Sequence, residues 1–271
     1  MVTVTYNSSH VIAQFVQTLQ SAPVEGCDLI IVDSGSVDAA ETAQIAEAEG
    51  VKFVASPTNL GYGGGSNLGA EAASSKWVFF VNPDVNVTFA QLETLARAAE
   101  DNGLTCVGPT VVEDDGSIRT TWGRTVTPPW RRRSRGWDER GELIVAQTIS
   151  GCCMGLELER FKQLGGFDES FFMFSEEMDL HRRISLAGGV VACVKTVQVT
   201  TPGGGSSLGV TNRWRLVERA VGHTRYVRKH FSPPEAGAAV AANVMRILTA
   251  SGFKPRLESL RQYRRSLRAR G

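Results

Sequence analysis

Short apolar runs alternate with helix-like segments through the first 112 residues, and this alternation constrains the fold more than any other feature. Runs with the length and composition of buried strands occupy residues 2–5, 28–33, 51–55, 76–81 and 105–112. Segments typical of helices occupy residues 10–20, 37–49 and 89–100, and a glycine-rich turn is expected before another helix at about 66–73. Continuous apolar strands separated by helices predict an α/β fold with a mostly parallel central sheet and helices on both faces.

The sequence after residue 112 is less regular and then becomes helical. Residues 119–140 carry seven arginines and two prolines, which favours a long, mobile loop. Strands are expected at 145–150, 190–194 and 197–199, and helices at 157–164 and 175–187. A flexible GGGSS stretch at 203–207 precedes helical segments at 212–230, 235–250 and 257–268. We therefore expect an α/β domain, residues 1–207 with halves 1–112 and 113–207, and a basic helical C-terminal extension, residues 208–271.

The charge of the chain is divided unequally between these two parts. Residues 211–271 hold 14 basic and 3 acidic residues, a net charge of +11, whereas the first 210 residues have a net charge of −10. A basic tail on an acidic body predicts an anionic partner, such as a membrane surface or a phosphorylated acceptor. Nucleic acid is disfavoured, because the body is acidic and carries no nucleic-acid-binding motif. The alternative is that the helices pack on the sheet or on a second subunit, as in a homodimer.

The sequence also indicates a cellular location. No apolar run approaches the length that crosses a bilayer, and the first 30 residues do not have the pattern of a signal peptide. The five cysteines, an odd number without metal-ligand spacing, are expected to be reduced thiols. We therefore expect a cytoplasmic protein whose basic helices bind peripherally at the inner face of the cell membrane.

Two acidic residues directly follow predicted strands, at the edge where open parallel sheets bind their ligands. Asp33 ends the strand DLIIVD, where a carboxylate either accepts a hydrogen bond from a nucleotide or caps the next helix. Asp84 ends the triplet Asn82-Pro83-Asp84, where it either holds Mg²⁺ or Mn²⁺ against a diphosphate or completes a turn. The residues alone leave both alternatives open.

Two further segments are candidates for chemistry. The glycines between Gly61 and Gly65 allow the backbone to approach a ligand closely, although they match neither a P-loop nor a dinucleotide fingerprint. Three carboxylates, Glu176, Glu177 and Asp179, follow a run of aromatic residues. An acid held beside apolar surface has a raised pKa and suits proton abstraction, whereas acids at a helix start otherwise stabilise its dipole.

Taken in order, these segments resemble the family 2 glycosyltransferases with the Rossmann-like GT-A fold, in particular their bacterial rhamnosyltransferase-like branch. The resemblance covers about residues 2–207. It is carried by short motifs, namely Val4-Thr5-Tyr6-Asn7, Ile31-Val32-Asp33-Ser34-Gly35-Ser36, Asn59-Leu60-Gly61-Tyr62-Gly63, Asn82-Pro83-Asp84, Ser150-Gly151, Gly165-Gly166-Phe167-Asp168-Glu169 and Glu176-Glu177-Met178-Asp179-Leu180.

The resemblance implies a role for each candidate residue. Residues 1–112 would bind the nucleotide, and residues 113–207 would hold the acceptor and the catalytic acids. Glu177 would be the catalytic base with Glu176 beside it, and Asp84 would bind the metal. Asp179 would be an auxiliary acid or would instead order the helix start. The nucleotide pocket would be formed by Thr5, Tyr6, Asn7, Asp33, Ser34, Gly61, Asn67 and Asn82.

The resemblance also implies the reaction, an inverting transfer of a sugar from a nucleotide-diphosphate donor to a hydroxyl of a glycan or lipid-linked acceptor, assisted by Mg²⁺ or Mn²⁺. The implied donor is dTDP-L-rhamnose, with UDP-hexoses and UDP-galactofuranose as alternatives. One departure from the family is that no histidine occurs between residues 182 and 222, where members often carry one. The dependence on metal therefore stays open. A nucleotidyltransferase and a non-catalytic nucleotide- or carbohydrate-binding relative are the alternative functions.

Overall fold

The computed structural model describes residues 1–113, 115–126, 135–201, 211–250 and 253–269. Its strands are β1 (Val2–Thr5), β2 (Ile30–Ser34), β3 (Lys52–Ser56), β4 (Trp77–Val81), β5 (Cys106–Val112), β6 (Ile118–Arg119), β7 (Trp122–Gly123), β8 (Trp137–Arg140), β9 (Leu143–Ala146), β10 (Thr148–Ile149), β11 (Cys153–Glu157) and β12 (Val191–Thr200). Its helices are α1 (Ser9–Gln20), α2 (Ala39–Ala48), α3 (Gly61–Glu71), α4 (Phe89–Asn102), α5 (Leu158–Gln163), α6 (Glu176–Leu186), α7 (Asn212–His230), α8 (Pro233–Ala250) and α9 (Phe253–Arg268).

Among the described residues, ten strands form one sheet in the order β3-β2-β1-β4-β11-β5-β12-β9-β8, with β6 beside β5. The neighbours β3, β2, β1 and β4 are parallel, and so are β5 and β12. The predicted α/β fold with a mostly parallel central sheet is therefore confirmed. The strand β11 was not predicted, and it lies antiparallel between β4 and β5.

Helices cover both faces of the sheet. Successive strand residues point to opposite sides, so each face carries apolar side chains that the helices bury. On one face, Ile31 and Phe79 pack with α1 and α4 in a cluster that includes Phe15 and Leu95. On the other face, strand residues such as Phe80 pack with α3, α5 and α6. Full burial of each such large apolar side chain contributes about 1.5–3 kcal/mol. These two layers fix the carboxyl ends of the parallel strands at one edge.

The glycine-rich segment is part of a helix rather than the turn that the sequence predicts. Helix α3 begins at Gly61, and its glycines lie against the sheet. A Cβ atom at Gly65 would lie 2.6 Å from Val4 Cγ1, and one at Gly69 would lie 2.3 Å from Val2 Cγ1. The glycines therefore allow the backbone of α3 to pack directly on β1, a gain in burial that outweighs their low helix propensity.

The arginine-rich segment 119–140 contains strands where the sequence predicts a loop. Strand β7 pairs with β10, and β8 pairs with β9. The rings of Trp122 and Trp137 pack edge to face, with their centroids 6.1 Å apart. This aromatic contact and the strand pairing order both ends of the segment. Residues 127–134 of this segment and the GGGSS stretch 203–207 lie outside the described residues.

The C-terminal helices α7, α8 and α9 pack on one another around Val217, Ile247 and Tyr263. The Tyr263 and Thr224 hydroxyl groups lie 2.6 Å apart, so they hydrogen-bond between α9 and α7. The predicted helical C-terminal extension is therefore present in the structure. Within the described ranges, none of the helices is both long and apolar enough to cross a bilayer.

Candidate active site

The loops after β1, β2 and β3 form a continuous rim at the carboxyl edge of the sheet; residues 5–8, 34–38 and 56–61 are called the strand-end rim below. The Asn7 N–H donates to Ser36 Oγ at 2.9 Å, and Asn7 Oδ1 accepts from Val37 N at 2.9 Å. The Leu60 N–H donates to Ser34 Oγ at 2.8 Å. Each loop is therefore held by polar side chains of its neighbour.

The candidate nucleotide-binding residues of the first two strands lie side by side in this rim. Thr5 is the register partner of Asp33 in the parallel pair β1–β2, and its hydroxyl lies 2.7 Å from that of Ser8. Tyr6 extends from the rim and is 48% exposed. Thr5, Asn7 and Ser34 thus shape the rim, while the Tyr6 ring is available to stack on a planar ligand.

Asp33 has one carboxylate oxygen in use and one without a partner. Its Oδ1 accepts a hydrogen bond from the Ser36 N–H at 3.0 Å, as expected for a side chain that caps the following turn. Its Oδ2 is buried and, within the described part of the chain, accepts no hydrogen bond. A buried carboxylate oxygen without a donor is costly, so this atom fits a role in accepting a hydrogen bond from a ligand.

Asp84 lies in the loop after β4, where it is partly exposed. The loop is fixed on one side by the Asn82 N–H, which donates to the Cys152 carbonyl at 2.8 Å. It is fixed on the other side by the Asn86 N–H, which donates to the Thr200 carbonyl at 2.8 Å. The predicted metal-binding acid is therefore held in a defined position with its side chain accessible to solvent.

Gly151 connects the loop of Asp84 with the catalytic candidates. The Tyr62 hydroxyl donates to the Gly151 carbonyl at 2.6 Å. A Cβ atom at Gly151 would lie 3.4 Å from Glu177 Cβ, so the start of α6 packs against this residue. Since the next residue, Cys152, accepts from Asn82, the structure brings Glu177 and Asp84 to opposite ends of one short stretch of contacts.

Glu176 and Glu177 occupy different environments at the start of α6. Burial raises the pKa of the Glu176 carboxyl well above its usual value, and the charge of Glu177 raises it further. Burial also raises the pKa of Glu177, but backbone N–H groups at the start of α6 and the Arg219 charge oppose this rise. Two neighbouring acids with separated pKa values are typical of a site in which one stays protonated and the other acts as a base.

The turn that presents these acids has an unusual backbone; residues 174–177 are called the acid turn below. Phe174 and Ser175 both adopt the left-handed conformation, with φ of 67° and 76°. Each such non-glycine residue costs about 1–3 kcal/mol and persists only where the surroundings impose it. Two glycines from other segments pack closely against this part of the backbone. A Cβ atom at Gly61 would lie 2.1 Å from the Phe172 carbonyl oxygen, and one at Gly222 would lie 2.2 Å from that of Phe174.

Asp179 is an ion-pair centre inside the protein. It is fully buried, and it pairs with Arg183 Nε at 2.8 Å, Lys229 Nζ at 2.8 Å and His230 Nε2 at 2.7 Å. Although burial acts to raise its pKa, the hydrogen bonds from His230 and Lys229 bring the pKa down to about 2. Since Lys229 and His230 belong to α7, Asp179 anchors the C-terminal helices to the helix of the catalytic candidates.

Asn67 joins α3 to the segment that precedes the acid turn. Its Nδ2 donates to the Phe167 carbonyl at 2.9 Å and to Glu169 Oε1 at 3.0 Å, while its Oδ1 accepts from the Phe167 N–H at 2.9 Å. The amide group therefore positions the Gly165-Gly166-Phe167-Asp168-Glu169 motif. Its expected contact with a nucleotide stays a prediction.

The sequence reasoning missed two residues that shape the site, Tyr62 and Gly222. Burial, and then the nearby Glu176, raise the pKa of the Tyr62 hydroxyl well above its usual value, so Tyr62 stays protonated and holds Gly151. Gly222 is an isolated glycine inside a helical pattern. Such a glycine indicates that another part of the chain packs closely on the helix. No signal in the sequence identifies what approaches it.

The candidate metal site has one carboxylate, Asp84. Among the described residues, no three His, Cys, Asp or Glu side chains converge on a common point. Mg²⁺ and Mn²⁺ nevertheless bind through one or two carboxylates together with phosphate oxygens and water. A partly exposed single carboxylate therefore fits a cation that arrives with a diphosphate rather than one held by the protein alone.

Comparison with known proteins agrees with the geometry. The family model of glycosyl transferase family 2 matches residues 1–165. The chain belongs to glycosyl transferase family 2. It is 28% identical over 227 residues to the N-acetylglucosaminyl-diphospho-decaprenol L-rhamnosyltransferase of Mycobacterium tuberculosis, with 73% of this chain and 74% of that protein covered. Membership in the family makes the chain a glycosyltransferase, and it lies among the relatives of a rhamnosyltransferase.

Solved structures of glycosyltransferases share the fold. GalNAc-T7 with UDP, GalNAc and Mn²⁺ superimposes with a TM-score of 0.61 at 16% identity over 88% of this chain, which spans only 50% of that chain. The mannosyltransferase PcManGT from Pyrobaculum calidifontis, in complex with GDP-Man and Mn²⁺, gives a TM-score of 0.60 at 15% identity, covering 98% of this chain and 81% of that one. At these identities the likeness shows the GT-A fold alone.

Proposed function

We propose that this family 2 glycosyltransferase moves L-rhamnose from dTDP-L-rhamnose to a hydroxyl of a lipid-linked N-acetylglucosaminyl diphosphate, with inversion at the anomeric carbon. The observation that carries the proposal is the contact path from Glu177 through Gly151 and Cys152 to the loop of Asp84. This path supports a site in which a base with a raised pKa and the carboxylate that suits the donor diphosphate act on the same donor. The nature of donor and acceptor is supported by the relative's activity and by the basic C-terminal helices.

Each site residue has a separate role in the proposed transfer. The rim residues Thr5, Tyr6, Asn7 and Ser34 border the nucleotide, and Asp33 Oδ2 accepts a hydrogen bond from it. Glu177 takes the proton from the acceptor hydroxyl as that oxygen attacks the anomeric carbon from the side opposite the nucleoside diphosphate. Glu176 stays protonated and therefore does not repel the ionised Glu177. A single displacement of this kind inverts the configuration of the sugar.

Asp84 would hold the divalent cation together with the donor diphosphate. When bound, Mg²⁺ or Mn²⁺ offsets the negative charge that develops on the leaving diphosphate. The superimposed structures of GalNAc-T7 and PcManGT contain Mn²⁺, which supports a divalent cation in this fold. We further propose that exposed arginines of α9, such as Arg261 and Arg264, bring the protein to an anionic membrane surface.

The decisive experiment replaces the base without changing its shape. We expect Glu177→Gln to lower the rate of transfer by about 10²–10⁴-fold, because general-base catalysis is lost, with little change in donor affinity. Glu159→Gln, in the first turn of α5, is the matched control and should leave the rate unchanged. Transfer is measured as labelled rhamnose in a lipid acceptor together with released dTDP. Release of pyrophosphate would indicate a nucleotidyltransferase, and no turnover of either kind would indicate a binding module.

The pH dependence provides a second measurement on the same residue. Glu177 must be ionised to accept a proton, and its pKa lies above the usual 4.5. The kcat/KM of the wild type should therefore fall tenfold per pH unit as the pH drops below that raised pKa. The residual activity of Glu177→Gln should lack this acidic limb. An acidic limb that persists in the variant would assign the titration to another group.

A further inference from the structure

A basic cleft lies between helices α7 and α8, outside the residues assigned above. Its volume is about 460 Å³, and it is lined by Asn212, Arg215, Leu216, Arg219, Ala220 and Arg246. Arg215 and Arg219 are one helical turn apart and lie on the same face of α7, and Arg246 joins them from α8. The cleft therefore combines three guanidinium groups with a small apolar wall.

The charges of the cleft arginines are not neutralised by ion pairs in the part of the chain that the structure describes, although Arg219 acts on Glu177. Within the described residues, Arg215, Arg219 and Arg246 form no ion pair with a carboxylate, whereas Arg213 on the same helix pairs with Glu258. The charge of the cleft also acts on a neighbour. Burial, and then the charges of Arg246 and Arg219, lower the pKa of His223 to about 4. The positive charges of these arginines, which no ion pair neutralises within the described residues, repel one another, so the cleft favours an anionic ligand.

The cleft lies next to the acid turn. The Arg219 guanidinium sits 5.0 Å from the centroid of the Phe174 ring, and its charge acts on Glu177. Gly222, less than one helical turn further along α7, is in close contact with the Phe174 backbone. A ligand bound by these arginines would therefore lie beside the catalytic base rather than beside the strand-end rim.

We propose that this cleft binds the diphosphate group of the lipid-linked acceptor and thereby places the acceptor sugar at Glu177. The inference rests on the proposed function and identifies where its acceptor binds. Arginine suits this role because its planar fork donates paired hydrogen bonds to phosphate oxygens and stays charged. In such an acceptor the diphosphate is separated from the reacting hydroxyl by one sugar ring, which matches a cleft adjoining the base. Leu216 and Ala220 supply apolar contacts for the first part of the lipid.

The kinetic test compares two acceptors that differ only in the diphosphate. One is N-acetylglucosaminyl diphosphate on a short isoprenyl chain, and the other is an alkyl N-acetylglucosaminide. We expect Arg246→Gln and Arg215→Gln each to raise the KM for the first acceptor by about 10-fold, with no change for the second. Arg228→Gln, an exposed arginine of α7 that does not line the cleft, is the matched control. Equal effects on both acceptors would overturn the proposal.

A binding measurement tests the cleft without any turnover. We expect inorganic pyrophosphate, titrated calorimetrically at constant ionic strength, to bind Arg246→Gln about 10-fold more weakly than the wild type. Asp84→Asn should bind it as the wild type does, since Asp84 belongs to the donor side. The opposite pattern would place pyrophosphate in the donor site and overturn the proposal. Because this readout needs no sugar transfer, it separates failure of the cleft assignment from failure of the proposed reaction.

A third measurement separates the acceptor diphosphate from lipid headgroups. Binding to phosphatidylglycerol vesicles should be the same for Arg246→Gln and the wild type, while the KM for the diphosphate acceptor differs. If the variant loses vesicle binding and keeps its acceptor KM, the cleft is a membrane contact and the proposal is wrong. Thermal melting of each variant shows whether it is folded, and the two substitutions on different helices make a shared folding defect recognisable.

Discussion

The strand-end rim and the acid turn lie at the same edge of the protein, yet they are held in different ways. In the rim, side-chain oxygens such as those of Asn7 and Ser34 accept hydrogen bonds from the backbone of the adjacent loop. In the acid turn, the backbone at Phe174 and Ser175 is strained, Gly222 approaches the Phe174 carbonyl group, and Gly61 approaches that of Phe172 just before the turn. The rim is thus made by residues that follow their own strands, whereas the turn depends on packing across the whole chain.

This difference indicates how each region should respond to change. Substitutions in the rim remove single hydrogen bonds and should act mainly on ligand affinity. Substitutions around the acid turn remove or add whole contacts between segments and should alter stability and rate together. The predictions below use this contrast.

The largest effect is expected at Asp179, the buried ion-pair centre next to the acid turn. We expect Asp179→Asn to lower the free energy of unfolding by about 3 kcal/mol, because Lys229 and Arg183 lose their shared counter-charge. Hydrogen exchange should increase in α7 and not in α1. Unchanged protection of α7 would show that the C-terminal helices are held by other contacts.

The same residue makes stability depend on pH in a defined direction. The pKa of Asp179 is about 2 in the folded protein, below the 3.8 of an unperturbed carboxyl. Its stabilisation, about 2 kcal/mol, is therefore complete above pH 3.8 and is lost as the pH falls towards 2. Urea unfolding over this range should show a smaller slope with pH for Asp179→Asn than for the wild type.

An intermediate effect is expected at Gly222. A Cβ atom in Gly222→Ala would lie 2.2 Å from the Phe174 carbonyl oxygen, so α7 or the acid turn must shift, at a cost of about 2 kcal/mol. The rate should fall with the stability, since the turn carries Glu177. Gly237→Ala is the matched control, because nothing lies within 4 Å of its added methyl group on α8. We expect it to be neutral or stabilising in thermal melts, and a loss equal to that of Gly222→Ala would contradict the steric explanation.

The smallest effect is expected in the strand-end rim. We expect Asp33→Asn to raise the KM for the donor about 10-fold, or about 1.4 kcal/mol, since Oδ2 loses its capacity to accept a hydrogen bond. The melting temperature should not fall, because the retained oxygen still accepts from the Ser36 N–H. Glu41→Gln is the comparison variant outside the rim, where Glu41 accepts from the Ser9 hydroxyl at 2.9 Å, and it should leave the donor KM unchanged. A large loss of stability in Asp33→Asn would make Asp33 a structural residue.

The sequence predicts the rim well and the acid turn poorly, for a physical reason. An apolar run that ends in an acid predicts both a buried strand and the residue at its carboxyl end. This pattern predicts that Asp33 and Asp84 lie at the same edge of the sheet. The antiparallel strand β11 was not predicted, since its five residues, CMGLE, form only a short apolar run that is interrupted by a glycine. The left-handed Phe174 and Ser175 have no local signature, and their closest backbone neighbour, Gly222, lies about 47 residues further along the chain.

The family match ends at residue 165, while the acid proposed as the base lies beyond it on α6, the helix whose Asp179 pairs with Lys229 of α7. Lys229 of α7 also pairs with Asp168 at 2.6 Å. A chimera joined at residue 208 would set foreign cations against Asp168 and Asp179, or leave Asp168 without Lys229 and Asp179 with Arg183 as its cation. Recombination between relatives is therefore expected to tolerate a junction just before Gly165 better than one at residue 208, because the first keeps the proposed base, Asp168, Asp179 and the C-terminal helices together. The contacts of Asn67 with Phe167 and of Gly61 with Phe172 still cross that junction.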